Sequence, residues 1–153
     1  MTEVWFYHLQ RRPLEAVLPV LLERCLERGW RGLVLAGSKE RMDALNAHLW
    51  TYRDDSFLPH GSISEPHPEL QPILLTAAFD PPAGPPNKAN ILFLVDGAAS
   101  NRQAEFDRTV DLFDGNDPDA TQAARERYRQ ASNAGFAVTY WQQNDNGDWE
   151  KRA

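Results

Sequence analysis

Apolar positions along the chain change period several times, and each change marks an element. Residues 3–8 (EVWFYH) are rich in β-formers and read as a first strand. Between residues 13 and 28, Leu14, Val17, Leu18, Leu21, Leu22 and Cys25 recur at helical spacing, with Gly29 as a stop signal. Pro19 falls inside that pattern; it lacks an N–H and crowds the preceding turn, which predicts a kink or a late helix start. Residues 32–36 (GLVLA) form a short apolar run that suits a buried parallel strand. Ser38 then caps a second helix with an inner stripe of Met42, Leu45 and Leu49.

Eight of the 11 prolines fall between residues 59 and 86, so the stretch from 59 to 90 reads mostly as loop, interrupted by a strand at 73–77 (ILLTA). Residues 91–95 (ILFLV) are the strongest strand pattern, ended by Asp96-Gly97. A short helix around 101–106 and a strand at 110–113 follow. Asp117-Pro118, a cap residue before a first-turn proline, starts a helix that runs to about Ala134 with Gly135 as its stop. Residues 136–142 alternate as a last strand, and the polar end from Asn144 onward reads as frayed. Strands alternating with helices predict an α/β fold, a single three-layer α/β/α domain over residues 1–142 with a polar tail at 143–153.

Composition narrows the class. The 153 residues suffice for a core without disulfide or metal support, and 42% hydrophobic against 25% charged residues is globular usage. A net charge of −6 argues against broad, direct nucleic-acid binding. Cys25 stands alone, which excludes an internal disulfide and reads as a buried small hydrophobe in a reducing compartment. With no membrane-length apolar run and no secretory pattern at the N-terminus, the expected location is cytoplasmic, with no membrane contact.

Candidate chemistry is sparse. The turn Ala36-Gly37-Ser38-Lys39 has neither the second glycine nor the Ser/Thr after the lysine that a phosphate-binding loop requires. Asp96 reads as a turn former. The histidines at 8, 48, 60 and 67 show no short metal-ligand spacing, and His60 and His67 read as solvated loop residues. No nucleophile elbow or paired-carboxylate motif appears, so no catalytic residue, metal or cofactor is expected. The alternative is a small α/β nucleotide-binding enzyme using Ser38, Lys39 and Asp96.

Local charge says more than the total. Glu105, Asp107, Asp111, Asp114, Asp117 and Asp119 crowd one acidic stretch, and the helix that follows inverts the sign with Arg125, Arg127 and Arg129 against Glu126. Arg125 and Arg129 share a helical ridge beside Tyr128, with Ala120, Ala123, Ala124 and Ala131 expected inward and the arginines outward or at a groove edge. Two readings fit: a solvated face softened by a Glu126–Arg129 pair, or an anion-recognition ridge in which guanidinium forks take carboxylates.

Leu49-Trp50 with Ser56-Phe57-Leu58-Pro59-His60, and Ala124-Arg125-Glu126-Arg127-Tyr128 with Gly135-Phe136, resemble the chi subunit of bacterial DNA polymerase III holoenzyme. Phe6-Tyr7 and the element order agree, and the resemblance extends to about residue 142. It implies a Rossmann-like, mostly parallel sheet without a functional P-loop, and a non-catalytic accessory subunit. It implies two partners, the psi subunit of the clamp-loader complex and the acidic C-terminal tail of single-stranded DNA-binding protein. Contact with nucleic acid would then be indirect, and the psi-docking surface could also take a repair helicase. By position, the resemblance assigns the tail to Arg125, Tyr128, Arg129 and Phe113. Thr121 stands where the family carries a further lysine. It assigns psi to Phe57, with Trp50 and Pro59 as neighbours; for Trp50, core packing is the competing reading.

Overall fold

In the computed structural model, which describes residues 2–52, 58–77, 87–100, 103–146 and 148–152, the elements follow the apolar pattern closely. They are β1 (Glu3–Leu9), α1 (Leu14–Glu27), β2 (Gly32–Leu35), α2 (Lys39–Thr51), β3 (His60–Ser62), β4 (Ile73–Thr76), β5 (Ile91–Leu94), β6 (Arg108–Asp114), α3 (Pro118–Asn133), β7 (Ala137–Gln143) and β8 (Trp149–Lys151). The helix expected near 101–106 is a 3-10 turn at Gln103–Glu105. The strands form one sheet in the order β3-β4-β2-β5-β6-β1-β7-β8. Every neighbouring pair is parallel except β7 with β8.

Strands β2, β4 and β5 are buried at every position, as a parallel sheet covered on both faces requires. On one face, Val17, Leu18 and Leu22 of α1 and Met42, Leu45 and Leu49 of α2 pack over Val34, Ile73, Leu75 and Phe93. On the other, Ala124 and Ala131 of α3 lie against Val4, Phe6 and Phe113, while Ala89 and Phe106 from connecting segments cover Leu33, Leu74 and Leu92. Cys25 is buried as expected, and burial pushes its thiol up to about 11, which leaves it unreactive. Among the described residues no helix is long and apolar enough to cross a membrane.

Pro19 does not mark a late start: α1 begins at Leu14, and Pro19 sits buried within the helix. Its missing N–H leaves the carbonyl of Glu15 without a helical donor, and His48 Nε2 of α2 donates to that oxygen at 2.7 Å. The loop reading of 59–90 missed β3, a three-residue edge strand paired with β4, and His60 within it is buried rather than solvated. Its Nδ1 and Nε2 lie 2.6 and 3.1 Å from the carbonyl oxygens of Leu58 and Asn46.

The polar C-terminal end also joins the sheet instead of fraying. Asn144 Oδ1 accepts from the backbone N–H groups of Asn146 and Asp148, which turns the chain back so that β8 pairs antiparallel with β7. Trp149 then stands edge-on to Tyr7 at 4.8 Å, and Trp5 lies 5.8 Å from Trp141. This aromatic layer packs against the α1–α2 core.

The proline–histidine arrangement makes a testable unit. His48→Ala should lower stability by about 1–2 kcal/mol by stranding the Glu15 carbonyl. In a Pro19→Ala background, residue 19 regains its N–H and the same change should cost clearly less. Chemical denaturation of the four proteins decides it, and equal costs in both backgrounds would refute the account.

Candidate functional site

Helix α3 starts where the sequence predicts: the Asp117 carboxylate accepts from Asp119 N–H at 3.0 Å, and Pro118 occupies the first turn. Ala124 and Ala131 are the buried contacts, so the helix approaches the sheet closely. Ala120 is half-buried and Ala123 exposed, so those two lie at the rim rather than inward as expected.

The three arginines of α3 then take three different roles. Arg127 turns inward rather than to solvent, at the wall of a cleft at the strand ends. Its guanidinium grips the Asp111 carboxylate of β6 at 2.6 and 3.1 Å, with the side chains only 12% and 2% exposed. Burial pushes the Asp111 carboxyl above the usual carboxylate range, opposed by the Arg127 charge. Arg129 is exposed and pairs with Glu126 at 2.6 Å, the softened-face contact anticipated from spacing. Arg125 is exposed, and among the described residues no carboxylate pairs with it.

The side chains around Arg125 are aromatic. Tyr128 lies half-buried with its ring 5.5 Å from Phe6 and 6.1 Å from Tyr140 of β7. Phe113 is buried beneath, 6.2 Å from Tyr140 and 5.0 Å from the His8 ring. Thr121 stands one turn before Arg125, half-buried, its Oγ1 enclosed and without a hydrogen-bond partner among the described residues. Arg125, Tyr128, Phe113 and Thr121 therefore share one neighbourhood, while Arg129 is engaged with Glu126.

His8 and Tyr140 belong to this neighbourhood and were not singled out from sequence. His8 Nδ1 lies 2.5 Å from the Tyr140 hydroxyl. Burial pulls the His8 imidazole below the ordinary histidine range, and the Arg125 charge pulls the same way. Burial raises the Tyr140 hydroxyl, against a lowering pull from Arg125. The only sequence signal was the alternation of Val138, Tyr140 and Gln142, which places Tyr140 on one face without saying which helix shares it.

The second candidate surface is at the β3 edge. Trp50 is 51% exposed at the end of α2, its ring 4.3 Å from that of His60, so the core-packing reading of Trp50 does not hold. Pro59 is half-buried beside β3. Phe57 lies outside the described residues. Ile63 and Leu70, 40% and 66% exposed, add apolar surface near the same edge.

At the carboxyl ends of the strands, where α/β sheets commonly bind ligands, a cleft of about 810 Å³ opens between Arg41, Asp96, Phe113 and Arg127. Several charges in and near it are paired. Arg41 bridges Asp96 at 3.0 Å and Glu15 at 2.9 Å, and Lys39 faces Asp43 at 3.6 Å. Ser38 caps α2 by accepting from Arg41 N–H. A Cβ on Gly37 would meet the Asp96 carbonyl oxygen at 2.4 Å, so this glycine serves close strand-end packing. Among the described residues no three His, Cys, Asp or Glu side chains converge as metal ligands.

Residues 1–139 match the protein family described as "DNA polymerase III chi subunit, HolC". The chain is similar to a protein of Rickettsia prowazekii (strain Madrid E) described as "Probable DNA polymerase III subunit chi", with 30% identity over 95 residues. That alignment covers 62% of this chain and 55% of the relative, so the match spans about half of the relative's length.

The Asp111–Arg127 pair predicts a strong, pH-dependent stability effect. Arg127→Ala should cost about 3–5 kcal/mol at neutral pH by leaving a buried carboxylate unpaired. In that variant the folded-state pKa of Asp111 lies above its unfolded value, so the native state binds the extra proton and stability recovers as the pH falls. Denaturation curves from pH 7 down to pH 5 test this, and a loss that stays constant across that range would contradict it.

Proposed function

This chain belongs to the DNA polymerase III chi subunit family, and on that premise we propose that it is a non-catalytic accessory subunit joining the clamp loader to coated single-stranded DNA. In this reading the flank of α3 takes the acidic C-terminal tail of single-stranded DNA-binding protein, and the β3 edge docks psi. The observation that carries the first half is the state of Arg125. Of the three α3 arginines, Arg127 and Arg129 are each held by a carboxylate, whereas Arg125 pairs with none among the described residues and stands beside Tyr128 and Tyr140. A guanidinium beside an aromatic groove suits a ligand that ends in an apolar residue with a free carboxylate: the fork takes the carboxylate and the rings take the side chain.

Exposed ion pairs are screened by salt, so each contact is individually weak. A strand coated with many tails would compensate through avidity. Thr121 supplies no charge where the family carries lysine, which lowers the cation count of the ridge to Arg125 with help from Arg129. For psi, the exposed ring of Trp50 with Pro59 forms an apolar edge of the kind that anchors protein interfaces. By family position Phe57 is also assigned to psi.

Calorimetric titration with a peptide of the last residues of the host's single-stranded DNA-binding protein tests the tail site. Wild type should bind, more weakly as salt rises. Arg125→Ala should lose about 2 kcal/mol, roughly thirty-fold, without a change in melting temperature. Thr121→Lys should bind a few-fold tighter. Wild-type affinity in Arg125→Ala would defeat the residue assignment. For the second surface, Trp50→Ala should lose co-purification with psi while keeping the tail peptide; retention of psi would remove Trp50 from the interface.

A further inference from the structure

His8 is a titratable group placed where the tail's charge would be felt, and the hydrogen-bond geometry around it is incomplete. Its Nδ1 faces the Tyr140 hydroxyl at 2.5 Å. Its Nε2 is enclosed with no acceptor in good hydrogen-bond geometry among the described residues, although the Gly115 backbone lies close enough to favour a proton on the ring. Gly115 closes over that side of the ring: a Cβ there would lie 2.0 Å from Nε2, so only glycine fits. The charges around the ring come from three directions. Arg125 on α3 opposes a positive imidazole, Asp114 at the end of β6 favours one, and the Gly115 carbonyl also favours one. Tyr140 on β7 and the Phe113 ring on β6 complete the surroundings.

We infer that His8 and Tyr140 form a proton-linked second contact of the Arg125 site, so that a carboxylate bound there draws a proton from solvent onto His8 and binding tightens as the pH falls. The inference rests on the tail-binding reading above. Once both ring nitrogens carry protons, the imidazolium only donates, so Nδ1–H must point at the Tyr140 oxygen. The phenol then cannot donate to His8, and its own O–H turns away toward the groove, where it can donate to the carboxylate held by Arg125. Proton gain thus adds both a charge and an aimed donor. The sign follows from linkage. In the free protein, burial and Arg125 hold His8 below the ordinary histidine value. A bound carboxylate cancels the Arg125 repulsion and raises it, so the complex binds a proton that the free protein does not.

Titration of the full chain with the tail peptide at pH 8, 7 and 6, in buffers of different ionisation enthalpy, reads both affinity and proton uptake. Wild type should bind about three- to ten-fold tighter at pH 6 than at pH 8, with net proton uptake. His8→Leu should show no pH dependence of affinity and no net proton uptake. Tyr140→Phe, which keeps its ring contacts, should lose most of the gain at pH 6. Arg125→Ala should be weak at every pH. If wild type binds and Arg125→Ala does not, yet affinity is flat with pH or the pH dependence survives in His8→Leu, the inference is overturned while the tail site stands. If wild type does not bind the peptide at any pH, both fall.

Discussion

The buried Asp111–Arg127 pair sets how α3 sits, and most of the chain's exposed chemistry depends on that setting. Small residues such as Ala124 and Ala131 let a helix approach a sheet but tolerate several rotations. A carboxylate 2% exposed tolerates one, because it must keep its guanidinium partner or stand as an uncompensated charge. With Arg127 committed to β6, the helical period puts Arg125 and Arg129 together on another ridge, where Arg129 pairs with Glu126 and the Arg125 charge acts on His8 of β1 and Tyr140 of β7. The same rotation lays Tyr128 on Phe6 and Tyr140. Charge complementarity inside the protein thereby decides which positive charge remains outside it.

Polar clamps also organise the opposite layer. Arg41 ties α2 to Glu15 of α1 and to Asp96 beyond β5, and His48 takes the carbonyl that Pro19 frees. These contacts sit at or near the end of the sheet where a Rossmann-like fold would hold a nucleotide. Here Arg41 and Lys39, the cations of the β2–α2 turn and helix start, are paired with carboxylates of the same chain. The candidate contacts lie elsewhere, along the flank of α3 and at the β3 edge, since a fold does not by itself fix where its functional surfaces lie.

Much of the architecture was legible along the chain. The wholly apolar runs at β2, β4 and β5 can only be buried strands, and Ser38 and Asp117 mark two helix starts by side chains that do cap them. The errors share a cause. Elements β3 and β8 are three residues each, too short for periodicity, and exist because a neighbouring strand offers hydrogen bonds and, for β8, because Trp149 finds Tyr7. Pro19 breaks an isolated helix by removing a donor, yet a donor from another helix replaces it. His60 looks solvated among prolines until two carbonyl groups surround it.

Sequence by itself determined the α/β class, the order of the longer elements, the family, and the block Ala124-Arg125-Glu126-Arg127-Tyr128 as the place to look, because these rest on local periodicity, capping and motif. Tertiary structure alone decided that Arg127 is interior and Arg125 unpaired. It alone brought His8 beside Tyr140, residues 132 positions apart. The physical reason is that burial and pairing are properties of strand order. Nothing in the local pattern says that β1 lies between β6 and β7, and that adjacency is what gathers a strand histidine, a strand tyrosine and a helix arginine around one groove. The net charge of −6 is likewise silent on this point, since the charge that matters is the one left over after internal pairing.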